Sequence, residues 1–204
     1  MITHVNAKVN EYAKDDYERT AWHEACINGQ TETAQIIIQS SKEFGIGLNA
    51  KNNSGSTAWH DACYNGQTET AQLLIESSKD FGIDLNAKDD YGRTAWHEAC
   101  SNGQTETAQL IIQSSKEFGI DLNAKDNNGS TALHLACING KTETVQMILK
   151  NWKEFGIDIK AQDNQGKTAL DLINHYEDGK RNQIKKMLEK EYSQIDVTES
   201  VQSL

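Results

Sequence analysis

The string Thr-Ala-Trp-His begins at Thr20, at Thr57 and at Thr94, then returns as Thr131-Ala-Leu-His and as Thr168-Ala-Leu-Asp. Each step is 37 residues. A fixed period of that size predicts one supersecondary unit stacked on copies of itself, not a domain closed around one central core. Such a stack offers a long surface and no central cleft, so binding leads over catalysis.

The second copy, Asn52 to Thr94, shows the unit most clearly. Asn53-Ser54-Gly55-Ser56 is turn chemistry, with Gly55 free to take positive φ. Thr57 is placed as an N-cap, and Ala58 to Cys63 reads as a short helix that Asn65-Gly66 stops. Thr68 stands where a second N-cap is expected, with Glu69 suited to the positive end of the helix dipole. Ala71, Leu74, Ser78 and Phe81 form one stripe of a longer helix, which Gly82 ends. Ile83 to Asp89 then alternates apolar and polar residues as a hairpin arm.

This pattern resembles an ankyrin repeat. The residues that carry the likeness are Gly55-Ser56-Thr57-Ala58-Trp59-His60, Ala62-Cys63, Asn65-Gly66, Ala71-Gln72-Leu73-Leu74-Ile75 and Gly82 to Asp89, recurring in register from about Ala13 to Tyr192. Three features depart from the family: Ala follows Thr where Pro is usual, Trp replaces a Leu, and the period is 37 rather than about 33. The resemblance implies an all-α-dominated repeat solenoid, helix-turn-helix units linked by β-hairpin loops. The expected boundaries are an N-terminal extension over 1–12, repeats near 16–52, 53–89, 90–126 and 127–163, a capping repeat over 164–192 and a flexible tail over 193–204.

The extra residues fall in the second helix, at Ser-Lys-(Glu/Asp)-Phe, and add about one turn, roughly 6 Å. Trp22, Trp59 and Trp96 at the start of the first helix are read as core, with Phe44, Phe81 and Phe118 covering them and Ser41, Ser78 and Ser115 small enough to admit them. In the fourth copy Leu133 replaces the Trp and Trp152 replaces the Ser, an exchange of bulk read as internal to one repeat.

Cys26, Cys63, Cys100 and Cys137 fall one per copy. Adjacent helices pack about 8–10 Å apart, beyond the Cα separation of about 7 Å that a disulfide spans. Ligands spread along a ladder do not converge on a metal. Buried free thiols place the chain in a reducing compartment: the cytoplasm, or a host's cytosol for a secreted chain. His23, His60, His97 and His134 also recur once per copy, before Glu24, Asp61, Glu98 and Leu135. A zinc-protease helix needs a second His four positions on, where Ile27, Tyr64, Ser101 and Ile138 stand. By resemblance each imidazole bonds the Thr cap and turn before it. No nucleophile with base and no phosphate-binding loop is found. No enzyme, cofactor or metal is expected.

The differences between copies bear on recognition. Copies one and three carry Asp-Asp-Tyr-(Glu/Gly)-Arg at the turn, and two and four carry Asn-Asn-Ser-Gly-Ser and Asp-Asn-Asn-Gly-Ser. In the ankyrin family the hairpin tips and first helices form a concave groove. By that resemblance Tyr17, Arg19, Ile27, Ser54, Tyr64, Tyr91, Arg93, Ser101 and Ile138 line it, a composition suited to an interface core. A net charge of −10 disfavours nucleic acid and favours a protein or peptide of basic or mixed surface. No apolar run approaches the ~20 residues of a membrane span, and the start has no signal-peptide pattern. Lys180, Arg181, Lys185, Lys186 and Lys190 belong to a terminal cap rather than a binding site. The reading is a monomeric, non-enzymatic module binding a protein partner through its concave face. The alternatives are a targeting or inhibitory arm, a spacer, and an array whose hairpin Asn49, Asn86 and Asn123 are modified.

Overall fold

A computed structural model describes residues 14–176 and 178–202; the N-terminal extension expected over 1–12 lies outside them. Among the described residues ten helices run in order: α1 (Ala21–Ile27), α2 (Thr31–Phe44), α3 (Ala58–Tyr64), α4 (Thr68–Phe81), α5 (Ala95–Asn102), α6 (Thr105–Phe118), α7 (Ala132–Ile138), α8 (Thr142–Phe155), α9 (Ala169–Ile173) and α10 (Gly179–Gln202). Each short helix packs on the long helix of its own unit and on the short helices of its neighbours, and the long helices stack likewise. The result is two parallel layers with one continuous core.

The first four short helices open on a capping box in which the third helical residue is His; in α9 that residue is Asp171. Thr57 takes extended φ/ψ of −93° and 168°, and its side chain accepts the third backbone N–H while His60 accepts the Thr57 N–H. The long helices begin differently from expectation. Thr68 is the first helical residue and Gln67 the N-cap, without a side-chain cap bond. The Thr68 hydroxyl is instead paired with Thr107 of the next unit at 2.8 Å. It serves the stack in place of its own helix. Gly45, Gly82, Gly119 and Gly156 close the long helices in the left-handed conformation.

The hairpin arms alternate in burial as their sequence does: Ile83, Leu85 and Ala87 are buried while Asp84, Asn86 and Lys88 are exposed. Among the described residues no strand forms. The arms bend into turns, and successive tips share single backbone bonds, such as Asp90 N–H to the Ser54 carbonyl at 3.1 Å. Side chains make the other links. Asn86 donates to the Gly119 carbonyl and accepts from Asp121 N–H, and Lys88 donates to the Lys125 carbonyl.

Trp22, Trp59 and Trp96 are buried, and each indole N–H donates to a carbonyl in its own repeat, from Leu48, Leu85 and Leu122. The Phe rings face backwards along the stack: Lys42 lies over Phe81, Lys79 over Phe118 and Lys116 over Phe155. Trp152 is half-buried and its indole N–H reaches Glu191 in α10, so its polar contact crosses to the cap, not into its own repeat. The last helix also runs past the end expected at Tyr192, to Gln202. No Gly or Pro follows Gly179 to stop it.

Candidate partner-binding face

Every hairpin tip is built on one carboxylate or amide. Asp15 Oδ1 accepts the N–H groups of Tyr17 and Arg19, Asn52 those of Ser54 and Ser56, Asp89 those of Tyr91 and Arg93, and Asp126 those of Asn128 and Ser130. These turns set tip side chains on one face beside the first helices.

In the first and third repeats that face carries the same clasp. Arg19 lies over the Tyr17 ring, 5.0 Å from its centroid, and pairs with Asp15 at 2.6 Å and Glu24 at 3.1 Å. Arg93 lies over Tyr91 and pairs with Glu98 at 3.4 Å. The guanidinium hydrogen bond holds the Asp15 carboxyl below its ordinary range. Burial pushes the Glu98 carboxyl up, and Arg93 opposes that. The second repeat has Ser56 where its neighbours have Arg, yet it keeps the acid, Asp61. Asp61 Oδ2 is closed off from solvent and has no hydrogen-bond partner. Burial raises its carboxyl to about 7, Arg19 pulls it down, and Glu24 and Glu98 add to the rise.

Tyr17, Arg19, Ile27, Ser54, Tyr64, Tyr91 and Arg93 line one open pocket of about 480 Å³ around Asp61. The three tyrosines are among the most exposed large side chains, Tyr17 at 65%, Tyr64 at 52% and Tyr91 at 63%. Ser101 and Ile138 do not line it. Ser101 instead accepts from Asn139, and the Ile138 carbonyl accepts the guanidinium of Arg181, which stacks on Tyr176. Asp61, Asp89 and Glu98 line the pocket although sequence reading had not placed them there. For Asp61 the signal is the Arg-to-Ser change at 56 without a matching loss of acid; in repeat four Ser130 and Leu135 lose both together.

The histidines sit beneath this surface. His60, His97 and His134 accept Thr N–H at Nδ1 while Nε2 meets the carbonyls of Arg93, Ser130 and Lys167 in the next repeat. A carbonyl opposite Nε2 requires its proton there, so the rings are neutral and of one tautomer. His23 makes the same cap bond, but its Nε2 is unpartnered. Burial lowers the pKa of all four rings. The four cysteines are free and buried, and burial raises each thiol well above its ordinary value. Among the described residues no His, Cys, Asp and Glu group could hold a metal ion, and no helix is long and apolar enough to cross a membrane.

A family model described as ankyrin repeats (three copies) matches residues 2–89, 44–126, 78–163 and 116–198. No curated protein matches the chain.

Proposed function

Because this chain belongs to the ankyrin-repeat family, whose members are generally protein–protein interaction modules, we propose that it binds a partner protein or peptide through its concave face. The observation that carries the reading is the pocket around Asp61, which gathers Tyr17, Tyr64 and Tyr91, all exposed, with two arginines at its rim. Exposed Tyr with Arg is the composition of interface anchors. The net charge of −10 favours a partner of basic or mixed surface. We read the chain as a monomer of four repeats, near 16–52, 53–89, 90–126 and 127–163, with a cap over 164–192, working without catalysis in a reducing compartment.

Affinity capture with mass spectrometry tests this. The wild type is run beside Tyr64→Arg and a back-face control, Glu69→Arg, each shown to be folded by circular dichroism. A protein held by wild type and control but lost by Tyr64→Arg supports the face. Retention by all three moves the site elsewhere, and saturable binding to nothing favours a spacer.

A further inference from the structure

Asp61 differs from the acids on either side of it. Position by position, Arg19, Ser56, Arg93 and Ser130 correspond, as do Glu24, Asp61, Glu98 and Leu135. Base and acid are present together in repeats one and three and absent together in repeat four. Only repeat two keeps an acid without its base. Among the described residues no ion pair reaches Asp61, whereas Glu24 and Glu98 each have one.

The pocket's own charges give the same answer. Its lining holds the carboxyls of Asp61, Asp89 and Glu98 and the guanidiniums of Arg19 and Arg93, with His60 held neutral by its backbone bonds. One negative charge is left over when all three carboxyls are ionised. The Arg19 and Arg93 guanidiniums occupy faces of Tyr17 and Tyr91. Tyr64, one helical turn from Asp61 on α3, has no such cover among the described contacts and is half exposed. A cation on an apolar stem would find a carboxylate for its head and an aromatic face for its stem.

Resting on the concave-face reading above, we propose that this pocket takes a single basic side chain, Lys or Arg, of the partner, its cation pairing with Asp61 beside Tyr64. The volume of about 480 Å³ admits one such side chain with flanking backbone. The pairing supplies the partner that Ser56 does not, and it completes a row of three charge-paired acids along α1, α3 and α5. The charged groups around Asp61 are Arg19 and Glu24 from the first repeat, Asp89 from its own, and Arg93 and Glu98 from the third; Glu24 and Glu98 disfavour its ionisation and an incoming cation restores it.

The test is a nitrogen-15 NMR titration of the whole chain with three capped tripeptides, acetyl-Gly-X-Gly-amide, where X is Lys, Arg or norleucine. Saturable shifts at Asp61, Tyr64 and Tyr91 amides with Lys or Arg, absent with norleucine and weakened at least tenfold in Asp61→Asn, are the expected result. For the cation probe, apparent affinity also rises roughly tenfold from pH 6 to pH 8, as an acid titrating near 7 ionises. Equal binding of norleucine, or no loss in Asp61→Asn, overturns the basic-side-chain inference while leaving the face as a binding surface. No shift with any probe overturns it too, and the capture experiment then judges the face by itself. Shifts confined to residues outside the pocket overturn the site assignment.

Discussion

His60, His97 and His134 each serve two repeats through one ring: Nδ1 accepts from the Thr cap of its own helix, and Nε2 donates to a carbonyl of the next. Protonating such a ring puts a hydrogen where Nδ1 must accept, so the cap bond is lost along with the cost of a buried charge. The folded pKa of each ring lies below its ordinary value. The unfolded chain therefore takes up protons first as pH falls. Stability is complete above the ordinary histidine value and declines as pH drops below it, by up to about 1.4 kcal/mol per pH unit for each ring. Urea midpoints at pH 7.5 and pH 5.5 should differ steeply, and the slope should ease in His134→Gln. Asp61 runs the other way. Its folded value near 7 lies above the unfolded one, so the folded state holds the proton longer and stability falls as pH rises from about 4 to 7. Asp61→Asn removes that cost, raising stability at pH 8 by on the order of 3 kcal/mol and changing little at pH 4. Unfolding curves at both pH values check it.

The turn is the element in which geometry is most demanding. Gly92 sits at φ +76°, and a Cβ there would stand 2.3 Å from Asn127 Oδ1 and 2.8 Å from the Asn127 backbone nitrogen. Gly82 has a similar φ, +70°, but open space around it. Gly82→Ala should cost about 1 kcal/mol for the left-handed conformation alone. Gly92→Ala should cost at least twice that, because the next tip must also move. Thermal unfolding of the two variants separates conformational strain from contact between repeats. The elements themselves were legible in sequence, since Thr57, Gly82 and the Ala71–Leu74–Ser78–Phe81 stripe carry local rules for caps, stops and buried faces. Less legible was any feature whose partner lies a full repeat away. Thr68 looks like a cap by local rules but is spoken for by Thr107, and the alternating arm from Ile83 to Asp89 reads as strand although its cross-repeat bonds come from side chains. The pocket was half legible for the same reason: exposed tip residues stand out singly, while Asp61 matters only through the Arg missing at Ser56.

At the scale of the molecule the main packing between described helices joins each repeat to its neighbours, so damage should stay local. Ile184 and Leu188 of α10 are fully buried against the last repeats. Leu188→Ala should destabilise by about 2–4 kcal/mol. Hydrogen exchange should quicken in α7, α8 and α9 while protection in α3 and α4 is retained; a uniform loss along the chain would show instead that the stack unfolds as one unit. At the same end Asp171 replaces the recurring His and accepts both the N–H and the hydroxyl of Thr168, doing the capping half of the task with no second nitrogen directed onward. That substitution reads as punctuation. Because the His60, His97 and His134 joints repeat the same pair of bonds, the array's length is set in whole copies, and lengthening it by duplicating such a copy requires no new joint, only that Asp171 stay in the last one.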